Sequence, residues 1–491
     1  MKINIRNSKK SRNIIIDTNP NKSVVGLIRN KFQTRIDILT KSAEDIIDEY
    51  YFFLELPDWK KFEEIKKILD FYIAGEDNNK LLLFFLMIGN YHEKLMSFIL
   101  YRGDSSAGKN HVIENTLKLF PEKDIYTYDS ATAKALNYDD TLNEARVIYL
   151  RELEKSPATV EMLKSLYNLA GKIHKETVID AQTKAHTVKE HLLERKGIIT
   201  TFSFENIQVD VVNRGWVLVP DQSYEQTQNI ITFDIHSEKH LIERKLQLKE
   251  MDNRCFFISQ CVKLLNFDYD VFIPYIDKLD VLLPNTQLNV RRDKNKLFNL
   301  IKIICIWNQK NRRGFKIDDD NYLIAEYIDL KMALQICENL FINLVLHLDD
   351  IKKTILDYMM VMETVAIKVK TTGAIDTFGN TSSPTTKQVE KRYTITEIYQ
   401  DINEETSVSR STIMRKMDSL FYEGYLLREK TKGKLFYTKL RDYSLVNALR
   451  LNEIEEEINS IVDQQYNYYS NKTGVILQDG KREPEKEADD F

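Results

Sequence analysis

A glycine-bounded segment in the first quarter of the chain carries the residue types that bind the phosphates of a nucleotide. It consists of Gly103, Asp104, Ser105, Ser106, Ala107, Gly108, Lys109, Asn110 and His111. Glycines at its two ends permit backbone angles that other residues resist, so successive N–H groups can point inward at phosphate oxygens. A helix beginning near His111 adds the partial positive charge of its N-terminus, and Lys109 reaches the β- and γ-phosphates. The segment is therefore predicted to be a phosphate-binding loop that holds ATP.

Asn110 departs from the usual pattern of such loops. It stands where Ser or Thr normally supplies a hydroxyl to Mg²⁺. An amide oxygen can still coordinate Mg²⁺, although it suits a tight octahedral shell less well. We expect Asn110 to be a metal ligand, with ATP and Mg²⁺ as cofactors. The alternative is a chance glycine-rich turn, which the flanking strand and helix patterns disfavour.

A second apolar strand, Arg146 to Glu152, ends where nucleotide hydrolases usually carry an Asp-Glu pair. Here that pair is Arg151-Glu152. Phosphoryl transfer mainly needs positioning and charge balance, so Glu152 is the candidate that polarises the attacking water and contributes to the metal site. The missing Asp means that the metal site is either rebuilt or impaired. Alternatively, Glu152 is an ordinary surface acid at the end of a strand.

Two further positions complete the predicted catalytic set. The strand Gly197 to Thr201 ends in two hydroxyls, and Thr200 or Thr201 fits the role of a γ-phosphate sensor, although β-propensity also explains Thr there. Arg214 precedes the strand Trp216 to Val219 and is a candidate arginine finger for a neighbouring subunit's site. An isolated Arg is more often part of a surface salt bridge.

Lysines lie between Glu152 and Thr200 in a segment that can form a hairpin. They are Lys172, Lys175, Lys184 and Lys189. In a ring-shaped motor such a hairpin faces the channel and grips DNA phosphates. An ordinary charged hairpin explains the same residues equally well.

The segment from Tyr393 to Leu440 shows a helix, a turn, a second helix and a basic hairpin with a glycine at its tip. Ser409 caps the second helix, and Ile413, Met417 and Leu420 face its core. This order is typical of a winged helix, whose second helix enters the DNA major groove while the wing touches the backbone. The predicted DNA-binding residues are Arg410, Arg415, Lys416, Lys430, Lys432 and Lys434. The alternative is a protein-interaction module.

The elements that position these residues are those of a globular α/β protein of several domains. With 491 residues the chain exceeds one domain, and 43% hydrophobic with 29% charged residues excludes disorder of the bulk. The net charge of −4 excludes a uniformly basic coat protein, so any nucleic-acid surface must be local. The cysteines form no CxxC pair, which disfavours a zinc site or disulfide framework. The longest apolar run, Leu81 to Ile88, is too short for a membrane span.

The order of these motifs resembles that of AAA+ helicases of the MCM-like type, especially those of mobile elements. The resemblance covers about residues 75 to 330 and rests on GEDNNKLLLFFL, GDSSAGKN, RVIYLRELE, ERKGIITT, NRGW, DQSYEQT and VRRDKNKLFNLIKIICIWNQKNRR. It implies that Arg214 acts in a neighbouring subunit and that Arg291, or less favourably Arg292, contacts the γ-phosphate. It also implies a fold with a P-loop AAA+ core and a helical lid, flanked by an N-terminal helical region and a C-terminal winged-helix domain. The zinc-binding N-terminal domain of that family is not recognisable.

The expected domains follow from these patterns and from shifts in composition. They are 1–74, a basic arm and helical region; 75–220, the AAA+ core; 221–366, the helical lid; 367–391, a linker; 392–443, the winged helix; and 444–491, a short helix with an acidic disordered tail.

The expected function is that of a ring-forming, ATP-dependent DNA helicase or translocase in replication. The expected partners are DNA, further copies of the chain in a homo-hexamer, and a primase or other replication proteins. No membrane is involved, and we expect a cytoplasmic, nucleoid-associated protein of a prokaryotic or mobile-element host. The alternative is an ATP-switched DNA-binding initiator or regulator with weak or no hydrolysis, which the anomalies at Asn110 and Arg151 favour.

Overall fold

The structure is a computed structural model with two compact units. It describes residues 2–7, 10–15, 43–103, 107–129, 144–153, 157–168, 173–179, 186–192, 195–202, 215–221, 223–282, 290–345, 351–359, 392–406, 408–422, 425–431, 434–439, 451–473 and 476–478. The first unit contains the described residues within Met1–Tyr275, Asn295–Cys337 and Glu456–Phe491. The second contains those within Ile276–Lys294 and Glu338–Glu455. The predicted linker, 367–391, lies outside the described residues.

Helices and strands alternate along much of the chain. The helices are α1 (Ala43–Leu54), α2 (Asp58–Tyr72), α3 (Asp77–Gly89), α4 (Lys109–Leu117), α5 (Pro157–Asn168), α6 (Tyr224–Lys239), α7 (Leu241–Leu264), α8 (Val290–Trp307), α9 (Tyr327–Val345), α10 (351–359), α11 (Ile395–Thr406), α12 (Arg410–Tyr422) and α13 (Leu451–Thr473). The strands are β1 (Lys2–Asn7), β2 (Lys10–Ile15), β3 (Phe98–Arg102), β4 (Ile125–Tyr128), β5 (Val147–Leu150), β6 (Ile173–Ile179), β7 (His186–Leu192), β8 (Gly197–Phe202), β9 (Trp216–Leu218), β10 (Asp270–Phe272), β11 (Gly314–Ile317), β12 (Asp320–Ile324), β13 (Leu426–Thr431), β14 (Lys434–Lys439) and β15 (Ile476–Gln478).

The centre of the first unit is a five-stranded sheet in the order β4-β5-β8-β3-β9, in which all neighbours are parallel. Strands β5 and β8 are buried along their whole length, as is β3 up to its last residue, Arg102. Continuous apolar runs of this kind are typical of parallel strands covered on both faces. The strands predicted from the sequence are confirmed, with ends that differ by up to three residues. Their carboxyl ends meet at one edge of the sheet.

Helix α3 carries apolar residues on all sides, as is typical of a helix that is buried in a core. Its residues from Lys80 to Gly89 are all buried. Among the described residues, no helix combines the length and the apolar character that crossing a bilayer requires.

Helices that precede and helices that follow the sheet in the sequence pack together through aromatic side chains. The ring of Phe257 on α7 lies 4.9 Å from that of Tyr50 and 5.6 Å from that of Phe53, both on α1. Trp307 at the end of α8 meets Phe84 of α3 edge to face at 5.2 Å. These contacts join α1, α3, α7 and α8 into one apolar core in the first unit.

A buried ion cluster fixes α2 to the start of α9. The Arg312 guanidinium donates to both carboxylate oxygens of Asp329, at 2.8 and 2.7 Å, and also to Asp58 at the start of α2. Asn311 donates to the same Asp58 carboxylate at 2.9 Å. Removing one partner of such a pair costs about 3–5 kcal/mol, because it leaves a buried charge without compensation.

A small sheet interrupts the segment 221–366, which was predicted as a helical lid and whose described residues are otherwise mostly helical. Strands β11 and β12 form a tight hairpin, β10 pairs parallel to β12, and β15 pairs antiparallel to β11. The hairpin turns at Asp318, which has φ +50°. Asp tolerates this left-handed conformation better than most residues, so a run of aspartates that reads as polar surface is in fact the turn.

The C-terminal segment carries a longer helix than predicted, while residues 479–491 of the predicted acidic tail lie outside the described residues. Helix α13 continues to Thr473, and Ile476–Gln478 form strand β15. The ring of Tyr469 on α13 stacks on Phe315 of the small sheet at 5.0 Å. Helix length is thus set by tertiary packing of aromatic residues that lie beyond the apolar seam seen in the sequence.

The hairpins outside the two sheets are separate two-stranded ladders. Strands β6 and β7 pair antiparallel from Ile173–Leu192 to Ile179–His186, so the predicted lysine hairpin is confirmed as a hairpin. Strands β1 and β2 form a second hairpin within the basic arm, which was predicted only as an arm.

The second unit contains a helix–helix–hairpin arrangement. Helices α11 and α12 precede the antiparallel strands β13 and β14, and Tyr393 exchanges two backbone hydrogen bonds with Tyr437 of β14. The predicted inward residues Ile413, Met417 and Leu420 are buried. The elements therefore occur in the order expected from the sequence.

Candidate nucleotide-binding site

The phosphate loop begins where β3 ends, at the carboxyl edge of the five-stranded sheet. The N–H of Gly103 donates to the carbonyl of Phe202 on β8 at 3.2 Å, which ties the start of the loop to the neighbouring strand. A Cβ at Gly103 would lie 2.8 Å from Cγ of Pro220, so any larger residue would collide with the chain that follows β9. Glycine is therefore required here by close approach.

The loop ends at Gly108, which is required for a different reason. Its φ is +73°, a left-handed conformation that costs other residues free energy, while a Cβ there would meet nothing within 4 Å. Gly108 is the N-cap of α4, and its carbonyl accepts from Val112 N–H at 3.1 Å. Helix α4 begins at Lys109 and not near His111, so its free N–H groups lie directly at the loop. Residues 104–106 lie outside the described residues.

The Lys109 side chain reaches back to the start of the loop. Its side chain is buried, and Nζ donates to the carbonyl of Gly103 at 2.7 Å. The ammonium group and the N-terminus of α4 thus place positive charge at the same end of the loop. This combination of charge and main-chain donors is suited to a polyphosphate.

The sheet order brings the other predicted catalytic strands beside the loop. Strand β8, which ends in Thr200-Thr201-Phe202, lies between β3 and β5. The Thr201 hydroxyl donates to the carbonyl of Arg151, and Leu153 N–H donates to the carbonyl of Thr201 at 2.8 Å. Oγ1 of Thr200 is buried and has no hydrogen-bond partner among the described residues. Glu152 follows β5 at the same edge and is exposed.

Asn110 is held by the neighbouring strand. The hydroxyl of Tyr149 on β5 donates to Oδ1 of Asn110 at 3.2 Å. Burial raises the pKa of the Tyr149 phenol, and the Glu114 carboxylate raises it further, so the phenol stays protonated and remains a donor. The amide oxygen predicted to be a metal ligand is therefore engaged with the protein.

Arg151 places a cation where such sites usually carry an acid. Its Nε donates to Glu114 of α4 at 2.9 Å, and its Nη1 donates to Asp129, just after β4, at 2.5 Å. The side chains of Asn110 and Glu114 are one helical turn apart, and those of Tyr149 and Arg151 share one face of β5. The residues present do not fit the usual Mg²⁺ shell, which needs a hydroxyl at the first position and a carboxylate at the last.

A strained turn before α3 borders the loop through Pro220. Gly75 and Glu76 both have positive φ, at +60° and +56°. The Glu76 carboxylate accepts from the N–H of Asp221 at 2.8 Å and from Asn79 at 2.6 Å. Burial raises the pKa of the Glu76 carboxyl. The turn thus fixes the chain after β9 against the start of α3, and thereby fixes Pro220 over Gly103.

The other predicted site residues are placed less completely. The ring of His111 points to the end of α2, where Nε2 lies 2.9 Å from the carbonyl oxygen of Tyr72. Lys175 lies on β6, and Arg291 and Arg292 lie in the first turn of α8, each described by its backbone alone. The residues that fall outside the described part of the chain are Asp104, Ser105, Ser106, Lys172, Lys184, Arg214 and Lys432.

The second unit presents basic residues on α12 and at the hairpin. The N-cap is as predicted, because Thr412 N–H donates to Oγ of Ser409 at 3.3 Å. Arg410, Arg415, Lys430 and Lys434 are exposed, and Lys416 is half-buried. Arg428 instead ties β13 to α12 by donating to Asp418 at 2.8 Å.

The sequence analysis missed Tyr149, Glu114 and Asp129 as parts of the site. Alternation along 147–152 already places Tyr149 on the same face as Arg151, and helical spacing places Glu114 one turn after Asn110. These periodicities were available in the sequence. The pairing of the helix face with that strand face was not, because it depends on the sheet order.

Comparison with known proteins supports the phosphate loop. Residues 63–255 match the family model described as the MTBMA_p00010 P-loop domain. No curated protein sequence matches the chain.

Three solved structures resemble parts of the chain. A full-length MCM homolog from Methanopyrus kandleri has a TM-score of 0.33 at 9% identity, covering 59% of this chain and 63% of its own. The JCV helicase has a TM-score of 0.26 at 14% identity, covering 50% and 66%. The C-terminal region of NrS-1 has a TM-score of 0.25 at 10% identity, covering 77% and 76%.

The parallel sheet, the loop between β3 and α4, and the matched P-loop domain establish the fold class. The chain has an α/β fold with a P-loop AAA+ core, as predicted. Nucleotide binding follows from this core.

Lys109→Ala is expected to abolish ATP binding, because it removes the ammonium group that spans the loop. Isothermal titration calorimetry with ATP measures this directly. Lys123→Ala, which removes an exposed lysine beyond α4, is the control and should bind ATP as the parent does. Unchanged affinity in the Lys109 variant would contradict the assignment of the loop.

Proposed function

We propose that the protein is an ATP-dependent DNA helicase or translocase of the MCM-like AAA+ type, which forms a ring and acts in DNA replication. The observation that carries this proposal is the shared sheet edge. It combines a loop with Gly108 in the left-handed conformation, Lys109 inside that loop, and Glu152 and Thr201 on the next strands. This is the set of groups that a nucleotide-driven motor needs in one place.

In the proposed hydrolysis, Glu152 orients a water molecule and accepts its proton as the water oxygen attacks the γ-phosphorus. The bond to the β–γ bridging oxygen breaks, and ADP leaves with that oxygen. Exposure of Glu152 at the strand end gives it access to water. Arg214 of a neighbouring copy and Arg291 are the proposed cations that stabilise the charge developing on the phosphate.

Assembly of several copies is supported by exposed apolar side chains on α6 and the first half of α7, which no other described residue covers; they are here called the α6–α7 face. Helix α6 is exposed along almost its whole length, with Gln226 as its buried residue. Large apolar side chains on this face are strongly exposed, among them Tyr224 (80%), Ile235 (64%), Ile242 (77%) and Leu246 (74%). Several large apolar side chains exposed on successive turns favour an interaction site. Since α6 follows Pro220, which covers Gly103, a copy bound there would lie beside the nucleotide.

DNA contact is proposed for two surfaces. The hairpin of β6 and β7 carries Lys175 and, in its flanking residues, Lys172 and Lys184. The helix–helix–hairpin of the second unit is proposed to be a winged helix, with Arg410 and Arg415 exposed on α12 and Lys430 and Lys434 exposed on the hairpin. Exposed lysines and arginines of this kind bind phosphates through counterion release.

A second function is favoured by the same site. Asn110 is engaged by Tyr149, and Arg151 replaces an acid. These features favour binding over turnover, and an ATP-switched DNA-binding initiator or regulator needs only binding. In that case ATP would order assembly through the α6–α7 face and turnover would be slow.

The first prediction separates these two functions. A helicase should hydrolyse ATP faster when DNA is present and should displace a labelled strand, whereas Glu152→Gln should keep ATP binding and lose at least about tenfold in turnover. Phosphate release and strand displacement are the measurements. Glu144→Gln, the same change at another exposed acid, should behave as the parent. ATP binding without DNA-stimulated turnover in the parent would support the switch and contradict the motor.

The second prediction concerns the proposed winged helix. Lys430→Ala with Lys434→Ala should weaken DNA binding and lower the slope of log affinity against log salt by about 0.9 for each phosphate that the variant no longer neutralises. Fluorescence anisotropy with a labelled duplex, repeated over a salt series, measures both quantities. Lys67→Ala with Lys123→Ala removes the same charge from exposed sites of the first unit. If that pair weakens DNA binding equally, the wing is not a specific contact.

The third prediction concerns the α6–α7 face. Ile235→Glu with Leu246→Glu should convert the assembly to monomers, because burying two carboxylates in an apolar contact is strongly unfavourable. Sedimentation velocity in the presence of ATP gives the oligomeric state. Gln228→Glu with Gln247→Glu adds the same charges at polar positions of the same helices and should leave the assembly intact. A parent chain that sediments as a monomer would rule out the ring.

A further inference from the structure

The contact between α4 and β5 is built differently from that in a metal-bridged phosphate loop. In such loops a Ser or Thr on the helix and an Asp on the strand both belong to the Mg²⁺ shell, so the ion bridges helix and strand. In this chain both positions have changed chemistry, to Asn110 and Arg151. The structure shows what these two residues do.

The bridge between helix and strand is made here by the protein itself. Tyr149 donates its hydroxyl to Oδ1 of Asn110 at 3.2 Å. Tyr149 is buried, and its protonated phenol remains a donor. A direct hydrogen bond therefore joins the first turn of α4 to β5 without an intervening ion.

Arg151 adds a positive charge at the same contact. Its guanidinium is held by Glu114 and Asp129, which use their carboxylates on this cation. All three side chains are substantially exposed, so the two pairs contribute little to stability and serve to orient the guanidinium. Arg151 therefore stands where a metal shell needs a carboxylate, and the two acids that contact it are already paired with it.

Positively charged groups of the protein can neutralise the phosphate charge that Mg²⁺ normally neutralises. Lys109 lies inside the loop, and the N-terminus of α4 adds partial positive charge. Arg102, the last residue of β3, is exposed immediately before Gly103. These groups place positive charge at the two described ends of the loop.

We infer that this loop binds the nucleoside triphosphate without a Mg²⁺ ion between α4 and β5, the bridge being replaced by the Tyr149–Asn110 hydrogen bond and the acid of the metal shell by Arg151. The inference rests on the proposed nucleotide site and concerns its ligand, a metal-free triphosphate. It accounts for both departures from the usual loop by one physical cause. The loss of the hydroxyl and the loss of the acid belong together, because each is useless without the ion.

The test is calorimetric titration of the full chain with ATP, once in excess Mg²⁺ and once in excess EDTA. The affinities should agree within about twofold. Binding that is tight in Mg²⁺ and at least about tenfold weaker in EDTA would overturn the inference while leaving the nucleotide site intact. Loss of binding in both conditions would overturn the nucleotide site and this inference together.

A variant that restores the usual pair tests the assigned residues. Asn110→Thr with Arg151→Asp should make ATP binding at least about tenfold weaker in EDTA than in Mg²⁺. The new carboxylate joins Glu114 and Asp129, and these acids repel a triphosphate that carries no metal. Circular dichroism and thermal unfolding confirm that the variant is folded, and the titration of the parent decides the inference by itself. A folded double variant that is as insensitive to EDTA as the parent would show that Asn110 and Arg151 are not the cause.

Discussion

The order of the strands in the five-stranded sheet is the constraint on which the rest of the candidate site depends. Because all five strands are parallel, their carboxyl ends meet at one edge, and because β8 lies between β3 and β5, the loop, the two threonines and Glu152 meet there. Each of these groups is ordinary by itself. Their common position is a property of the sheet, which is held by strands buried on both faces. The nucleotide site is thus a consequence of the core.

The loop requires glycine at two positions, for two different physical reasons. A side chain at Gly103 would collide with Pro220. Pro220 is held in place because the turn at Gly75 and Glu76 binds the N–H of Asp221, the next residue. Gly108 has a positive φ that other residues rarely adopt, although a Cβ there would meet nothing within 4 Å. The loop therefore begins where the following chain closes it and ends at the N-cap of α4, and Lys109 donates a hydrogen bond back to Gly103.

The proposed nucleotide site and the proposed DNA-contacting surfaces are distributed over the two units. The first unit carries the nucleotide site, the lysine hairpin and the exposed α6–α7 face, whereas the second unit carries the basic helix–helix–hairpin. A motor and a switch share this division, because both couple a nucleotide to a DNA contact. They differ in turnover, which depends on the few residues around Asn110, Arg151 and Glu152. The departure from the usual metal shell therefore bears on which of the two the protein is.

The amino-acid sequence by itself determined the loop, the strands of the core and the helix–helix–hairpin. These features depend on local signals, namely glycine spacing, continuous apolar runs and helical periodicity, which need no distant contact to be recognised. The small sheet around Asp318 and the length of α13 were missed, because the turn depends on an uncommon angle at an Asp and the helix end depends on Tyr469 packing against Phe315. Only the tertiary structure decided that Tyr149 bonds to Asn110 and that Arg151 pairs with Glu114 and Asp129. The physical reason is that side-chain contacts between a helix and a strand depend on strand order and register, and no residue in the chain specifies these locally.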